Sequence, residues 1–546
     1  MPVFDSILLN VYRTRLYLPL LIVGVIFLVS PRVRRLVLKV TDTFSRLNTG
    51  SMAAVIFVAA FILSVLVCYD GKSWGGDFSQ YFAQTRALAD HTVAEWYEKN
   101  IFIINTSAEG IGSDVYPWFW SILLLPMYKL FGFHMPLLKV YEALFFAASM
   151  IPFVYILRRR IPGKPAFLIC LGITCNLAFL MFVNTIESDI PNMFMVFLTL
   201  NMIDLYHKDA RDGQGWLYKG LLGVLVGVLI FADCETRTMN QALLLALLVY
   251  DVIMVVLSVI RMYGRKEREI HWKRSLCKGL TMALPFIGYA VTARVFYAFL
   301  PKSGGTYNDY FEFSIGRLKE NIIGYFKILG QMVCATSRPV IAAISYTGVC
   351  ILLILAVVGM IYQFRKELYF LIYIGGMMCM LIFYDYMDSR FIFAIYPLLM
   401  LFAYWGYVCL RDKWKEHRWM EVGSLLLKDG YLLYMIILLV SFSVTAVYIQ
   451  TGRYSLRQAD SVQAQELYAY INENISDDAV IYFFKPRVLY LYTNVYSYNC
   501  YNEVYNMEPA DYIAVCEEDG YDRVYAYAKE HGTLVYQNEM FCLYEL

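Results

Sequence analysis

A succession of apolar runs, each close to the length of a bilayer-crossing helix, limits what this chain can fold into more than any other feature. The runs lie near 16–31, 51–69, 136–157, 165–183, 189–206, 218–232, 240–262, 279–300, 341–362, 368–384, 391–410 and 431–449. About 20 apolar residues in a helix cross the hydrocarbon core. Inside lipid, a helix satisfies its own backbone hydrogen bonds without water. The expectation is an α-helical polytopic membrane protein of twelve spans, the first of them (16–31) short enough to be a tilted span or an interfacial helix instead.

Composition agrees. Of 546 residues, 59% are hydrophobic and only 17% charged, far from the balance of a soluble domain. The 46 tyrosines suit broad aromatic belts at membrane–water interfaces. The net charge of +2 says nothing about nucleic acid, but no basic domain or nucleic-acid motif appears, so no nucleic-acid partner is expected. Most of the 12 cysteines sit inside apolar runs, as Cys68, Cys170, Cys175, Cys379 and Cys409 do, where they act as small hydrophobes. No Cys/His spacing suggests zinc. Cys500, Cys516 and Cys542 fall in the polar tail, where a disulfide is left open.

The connecting loops sort by charge. One alternate set, beginning with Arg32, Arg34, Arg35, Lys39 and Arg46, holds 25 Lys and Arg; the other, although longer, holds 11. Positive charge marks the cytoplasmic side, so 70–135, 301–340 and the tail 450–546 are expected outside. The domains expected are an N-terminal segment 1–50, a multi-span region 51–449 with a large outer loop 70–135, and an extracytoplasmic α/β domain 450–546. In the outer loop, residues 78–99 carry apolar positions at helical spacing, and Tyr116-Pro117 opens an apolar run to Phe131. The first reads as an amphipathic helix on the membrane surface, the second as an interfacial or re-entrant helix. In the tail, the pattern predicts a helix at 459–474, strands at 479–484 and 512–515, a helix at 521–531 and a hairpin over 533–545.

Acids and arginines gather at the ends of spans that face outward. Asp77 follows the second run in Gly75-Gly76-Asp77-Phe78. An unpaired carboxylate at the mouth of a membrane helix is costly, and such groups are functional by default. Glu187 and Asp189 precede Pro191, where Asp189 could equally cap a helix. Arg237 could pair with Glu235, and Arg390 with Asp388. Tyr81 and Tyr116 are either belt aromatics or substrate contacts. An arginine fork reads phosphate through two parallel donors, so acids beside arginines suit a base working on a phosphate-bearing lipid.

In this order and sidedness the segments resemble the GT-C glycosyltransferases, in particular the protein O-mannosyltransferase and aminoarabinose transferase (ArnT-like) group. The likeness rests on Gly76-Asp77 with Tyr81, Tyr116-Pro117 and its apolar helix, Glu187-Ser188-Asp189 before Pro191, Arg237, Arg390-Phe391 with Pro397, and a tail containing Lys485-Pro486-Arg487. It covers most of the chain from about residue 51. The resemblance implies a GT-C fold with a small C-terminal extracytoplasmic α/β domain. It also implies a sugar donor linked to polyprenyl phosphate, inverting displacement, and Asp77 as the base or the residue that positions the acceptor. Tyr81, Tyr116, Glu187, Asp189, Arg237 and Arg390 are then substrate-binding candidates. Many such relatives carry a second acid beside the first; here Phe78 follows.

A divalent cation is left open as a cofactor, since His91 and His134, the histidines of the outer loops, lack ligand spacing. The expected partners are the lipid-linked donor, an unidentified acceptor (protein, lipid or envelope glycan) and membrane lipid. A flippase or transporter of lipid-linked glycan, and a polysaccharide polymerase or ligase, are the competing classes.

Overall fold

The computed structural model describes residues 30–108, 112–209, 216–264, 272–303, 310–333, 339–414, 416–504, 507–516 and 520–546, with Ile22, Gly24 and Ile26. The expected first span therefore lies largely outside the described residues.

Helices dominate. Among the described residues six are long and apolar enough to cross a membrane: Thr49–Leu66, Met135–Arg158, Leu217–Cys234, Thr238–Ile260, Ala342–Gln363 and Glu421–Gln450. Asp189–Asp209 is a further 21-residue helix. Gly163–Thr174 and Leu368–Leu381 are apolar but shorter. Two runs depart from the expected spans. The run 165–183 is two helices, Gly163–Thr174 and Leu177–Phe182, because the Asn176 side chain accepts from the Ala178 N–H and starts a new helix. The last run extends back to Arg418, giving a helix of 33 residues.

Glycines let helices touch at their backbones, as small residues do in membrane interfaces. Pro339–Gln363 crosses Ile395–Lys413 where Gly359 faces the Phe402 carbonyl and Gly406 faces the Leu355 carbonyl; a Cβ on either would strike that oxygen.

The expected surface helix 78–99 is two helices, Phe78–Asp90 and Val93–Thr106, parted at His91, which takes left-handed backbone with φ 60°. Nor does the first lie on the surface. Phe78 through Thr85 are all buried. Polar residues on its second face gave it an amphipathic look, yet they serve the interior: Gln84 donates to the Tyr116 carbonyl and accepts from the Tyr116 N–H. Thr85 lies against the carbonyls of Tyr81 and Ser121.

The tail forms a five-stranded sheet from β1 (Val480–Tyr482), β2 (Tyr496–Tyr498), β3 (Tyr512–Cys516), β4 (Thr533–Gln537) and β5 (Phe541–Glu545), in the order β2-β1-β3-β5-β4. β1 runs parallel to β2 and β3, and β5 antiparallel to β3 and β4. Strand alternation sorts the two faces. Ala514 and Cys516 join Leu467 and Leu489 on one side, while Ile513 and Val515 join Val524 and Ala528 on the other. Cys500, Cys516 and Cys542 are buried, and no disulfide joins any two of them. The sheet is not a separate body. Val488, Tyr490 and Leu491 share one core with Phe78, Phe82, Trp118 and Trp120.

Candidate active site

The segment leading to Asp77 is pinned from several directions. Asn184 donates to the Val67 carbonyl at 3.0 Å and accepts from the Tyr69 N–H at 2.9 Å. Buried Lys139 donates to the carbonyls of Tyr69 and Gly71, both at 2.6 Å. From the tail, Asp460 accepts from the Lys72 N–H at 2.8 Å, and Gln458 accepts from the Trp74 N–H. Gly76 then turns with φ 94°, a conformation that favours glycine. A Cβ there would collide with the Glu187 carboxylate.

A second segment, 183–189, meets the first. Ile186 has φ 53° and is fully buried. A β-branched residue in left-handed backbone is a genuine outlier, costing about 1–3 kcal/mol, and such strain clusters at functional sites. It turns Glu187 toward Asp77, whose N–H donates to Glu187 Oε1 at 3.3 Å.

The third segment, 384–392, carries Arg390. Asn321 on Ile315–Val333 donates to the carbonyls of Leu381, Ile382 and Tyr384. The Asp385 N–H donates to the Tyr310 carbonyl at 2.8 Å. Asp388 accepts from the Arg390 N–H and starts a short 3-10 turn, Ser389–Ile392.

These segments converge on the Arg390 guanidinium. Its Nη1 donates to Asp77 Oδ2 at 3.1 Å and also to Glu187 Oε2, with Asp189 Oδ2 at 3.8 Å. Its Nε lies 3.6 Å from Asp388 Oδ2 and makes no hydrogen bond. Arg237 pairs with Asp189 rather than with Glu235. Glu235 instead accepts from the Trp118 N–H, Ser303 and Tyr297, anchoring the start of Trp118–Phe131. Tyr116 donates to Asp77 Oδ1 at 3.1 Å, and Tyr81 donates to Ser188 at 2.8 Å. Both tyrosines are buried, so neither is a belt residue.

The seven residues picked out in the sequence thus stand together, with one correction: Asp77 is not unpaired. Both its oxygens have partners, because the arginine 313 positions later folds onto it. Three further groups that were not among the site candidates join them. Asp388 looked like a local partner for Arg390. Arg487, which donates to Tyr116, lies in the tail. Lys72, which no sequence signal singles out, is 2% exposed, with Nζ 4.3 Å above the Phe78 ring.

The electrostatics differ from group to group. Burial raises the Asp77 carboxyl, but Arg390, then Arg237, then the Tyr116 hydrogen bond and Arg487 together hold it below the ordinary value. Burial pushes Glu187 up to about 7, against Arg390 and with help from Asp77 and Asp189. Burial also pushes Lys72 down to about 8, opposed by Glu187, Asp460 and Asp77. The side chains of Asp77 and Asp388 are each 28% exposed, while Glu187 is 5% and Asp189 0%. A reactant can therefore reach Asp77 but not Asp189. Among the described residues no group of three His, Cys, Asp or Glu side chains is arranged to hold a metal ion.

No protein-family profile matches the chain, and no curated protein matches it by sequence. Solved structures do. The chain is similar to ArnT from Cupriavidus metallidurans, solved bound to undecaprenyl phosphate, at 12% identity and TM-score 0.53 over 90% of this chain and 96% of that one. The apo form of that protein gives a TM-score of 0.51 at 12% identity, over 91% of this chain and 98% of that one. An oligosaccharyltransferase from Archaeoglobus fulgidus in its apo form gives 0.50 at 12% identity, over 87% of this chain and 71% of that one. The chain is a helical polytopic membrane protein with the GT-C fold and a small C-terminal α/β domain.

Proposed function

We propose that this protein is an integral-membrane glycosyltransferase that moves a sugar from a polyprenyl-phosphate carrier to an acceptor hydroxyl on the extracytoplasmic side, with inversion. The observation that carries the reading is the Asp77–Arg390 pair, partly open to solvent and backed by Glu187 and Arg237. The undecaprenyl phosphate bound to the similar ArnT supports the donor class. The bias of Lys and Arg toward the opposite loops supports the sidedness.

In the proposed step, Asp77 accepts the acceptor's hydroxyl proton as that oxygen attacks the anomeric carbon. The new C–O bond forms on the face opposite the bond to phosphate, which breaks and leaves polyprenyl phosphate with one more negative charge. Protonation of Asp77 removes one of the anions facing Arg390 at the moment the phosphate gains its charge. Arg390 can then turn its donor capacity to the leaving group. Lys72, a buried ammonium near the same carboxylates, adds positive potential. Glu187 and Asp189 hold the two arginines in place between turnovers, and Tyr81 steadies the Glu187–Asp189 turn through Ser188.

The test is purified protein in lipid, given a panel of polyprenyl-phosphate sugars, with release of free polyprenyl phosphate as the readout. Wild type should release it and Asp77→Asn should not. Near-normal release by the mutant removes the base role. No release from any donor by a folded wild type overturns the transferase reading and favours a flippase.

A further inference from the structure

We infer that Arg487, from the C-terminal α/β domain, is a positioning residue for Asp77, acting through Tyr116, so that docking of that domain completes the active site. The inference rests on the transferase reading for what Asp77 does, but its geometry stands apart from it.

Arg487 is the second residue of the helix Pro486–Thr493 and is 8% exposed. Its Nη2 donates to the Ser113 carbonyl at 2.6 Å, and its Nη1 donates to the Tyr116 hydroxyl oxygen at 3.3 Å. Its guanidinium carbon also lies 5.3 Å from the centre of the Tyr116 ring. The one proton of that hydroxyl points the other way, to Asp77 Oδ1 at 3.1 Å. A donor placed on a hydroxyl's oxygen polarises its O–H and strengthens the bond it gives.

Asp77 is therefore held by two independent hands, Arg390 on Oδ2 and the Arg487–Tyr116 chain on Oδ1. With both oxygens fixed, the plane of the carboxylate is fixed too, which is what alignment with an incoming hydroxyl needs. The arrangement has been given room. Gly112, with φ 101°, sits where an added Cβ would come 2.8 Å from the Tyr116 hydroxyl and 3.1 Å from Arg487 Nη1. The helix itself is clamped to the site, since Arg86 on Phe78–Asp90 donates to the Leu491 carbonyl at 2.6 Å and Lys99 donates to the Asn494 carbonyl at 2.7 Å.

Other charges act on Asp77 as well. Arg390 and Asp388 face it from the 388–390 turn, and Tyr384 adds a weaker influence from the same loop. Glu187 and Asp189 approach from the second segment, Arg237 from beyond them, and Lys72 from its own segment. A change confined to Arg487 leaves all of these in place.

The experiment compares full-length wild type, Arg487→Gln, Arg487→Lys, Tyr116→Phe and the double variant Tyr116→Phe/Arg487→Gln in lipid. Infrared titration reads the protonated Asp77 carboxyl, assigned by its loss in Asp77→Asn. In the same samples, the pH profile of donor turnover is measured. Arg487→Gln should move Asp77 protonation to higher pH and lower kcat about tenfold or more, with the donor KM within about twofold. Arg487→Lys should restore the titration, and the double variant should shift Asp77 by less than the sum of the two single variants, because most of the effect of Arg487 passes through Tyr116. An unchanged infrared midpoint in a folded Arg487→Gln overturns the inference even if no donor is turned over. Additive effects in the double variant, or a KM rise at constant kcat, overturn it too. An inactive wild type with the expected infrared shift defeats the transferase reading and leaves the positioning role standing.

Discussion

Arg160 and Arg390 each gather several acids, near opposite ends of the same helices, and they do it differently. Arg160 meets Asp204 with two parallel hydrogen bonds, 2.5 Å from Nη1 and 2.6 Å from Nη2, while its Nε donates to Glu367 at 2.9 Å and the Phe370 ring covers one face. Every edge of that fork is used. Arg390 instead crowds Asp77, Glu187 and Asp189 around one nitrogen and leaves its Nε without a hydrogen bond. Asp189 opens the helix that carries Asp204, so the two clusters lie about 22 Å apart along it, at about 1.5 Å per residue. A saturated fork has nothing left to offer a ligand. An unsaturated one, crowded by acids at a solvent edge, has donors to spare and partners it can exchange. The first arrangement fastens helices; the second suits chemistry.

The strongest way to break this contrast is to remove each arginine. Arg390→Gln should cut sugar transfer by about a thousandfold, the scale of losing a donor that faces developing charge, while the protein keeps most of its thermal stability, because Asp189 stays paired with Arg237 and Glu187, already pushed up to about 7, can take up a proton. Arg160→Gln should do the reverse. It strands Asp204 and Glu367 without their fork, a loss of about 3–5 kcal/mol, yet the protein that remains folded should turn over at a near-normal rate. Thermal unfolding and donor turnover on both variants decide it. Equal destabilisation with transfer retained in Arg390→Gln would erase the distinction between clasp and site.

A smaller effect sharpens the point at the backbone. Gly76→Ala meets an unfavourable φ of 94° and the Glu187 carboxylate at once. It should push Asp77 away from Arg390 and Tyr116, lowering kcat by about a hundredfold, the scale of a misplacement near 1 Å. The comparison is Gly75→Ala, which has open space around its Cβ and should stay close to wild type. If both variants behave alike, the tight turn is not what positions Asp77.

Much of the site could be read from the sequence because a membrane chain has few places for charge. Asp77, Glu187, Asp189, Arg237 and Arg390 stand out as polar groups at the ends of apolar runs, and the fold brings those ends together. What could not be read is pairing across the chain. Arg237 beside Glu235 looked like a local pair, but the helix start at Asp189 takes the arginine while Trp118 takes the glutamate. Lys72 and Arg487 carry no periodic signal; their burial comes from docking the 456–494 region onto the 70–108 helices. The same docking buries Phe78–Thr85 all round, where spacing alone suggested a surface helix. In the tail, the helices Val462–Asn474 and Asp522–His531 and the strands β1, β3, β4 and β5 were legible from alternation and turn residues, but the eight-residue helix Pro486–Thr493 and the three-residue β2 were too short to declare themselves.

The finest test separates the two regions by pH. Glu187, pushed up to about 7, and Lys72, pushed down to about 8, titrate at the site about one pH unit apart. As pH falls from about 8.5 to 6.5, Lys72 gains a proton and Glu187 then loses its charge, so each step makes the site more positive. A sugar-phosphate diester keeps its single charge over that range, and any slope in its binding belongs to the protein. Donor affinity should therefore rise several-fold as pH falls, with at most about a tenfold change per unit for each linked proton. Glu187→Gln should flatten the lower half of the rise and Lys72→Met the upper half, while Arg160→Gln should leave both untouched.

Stability carries the matching sign. The folded state holds a Glu187 proton that the unfolded chain has released above about 4.5, so this group's contribution falls as pH climbs from there through 7. At neutral pH the site thus holds an ammonium and a half-protonated acid, each of whose charged forms burial disfavours relative to water. A donor affinity that stays level from 8.5 to 6.5 would show that neither group faces the phosphate. The site would then be another clasp, and the contrast with Arg160 would rest on geometry alone.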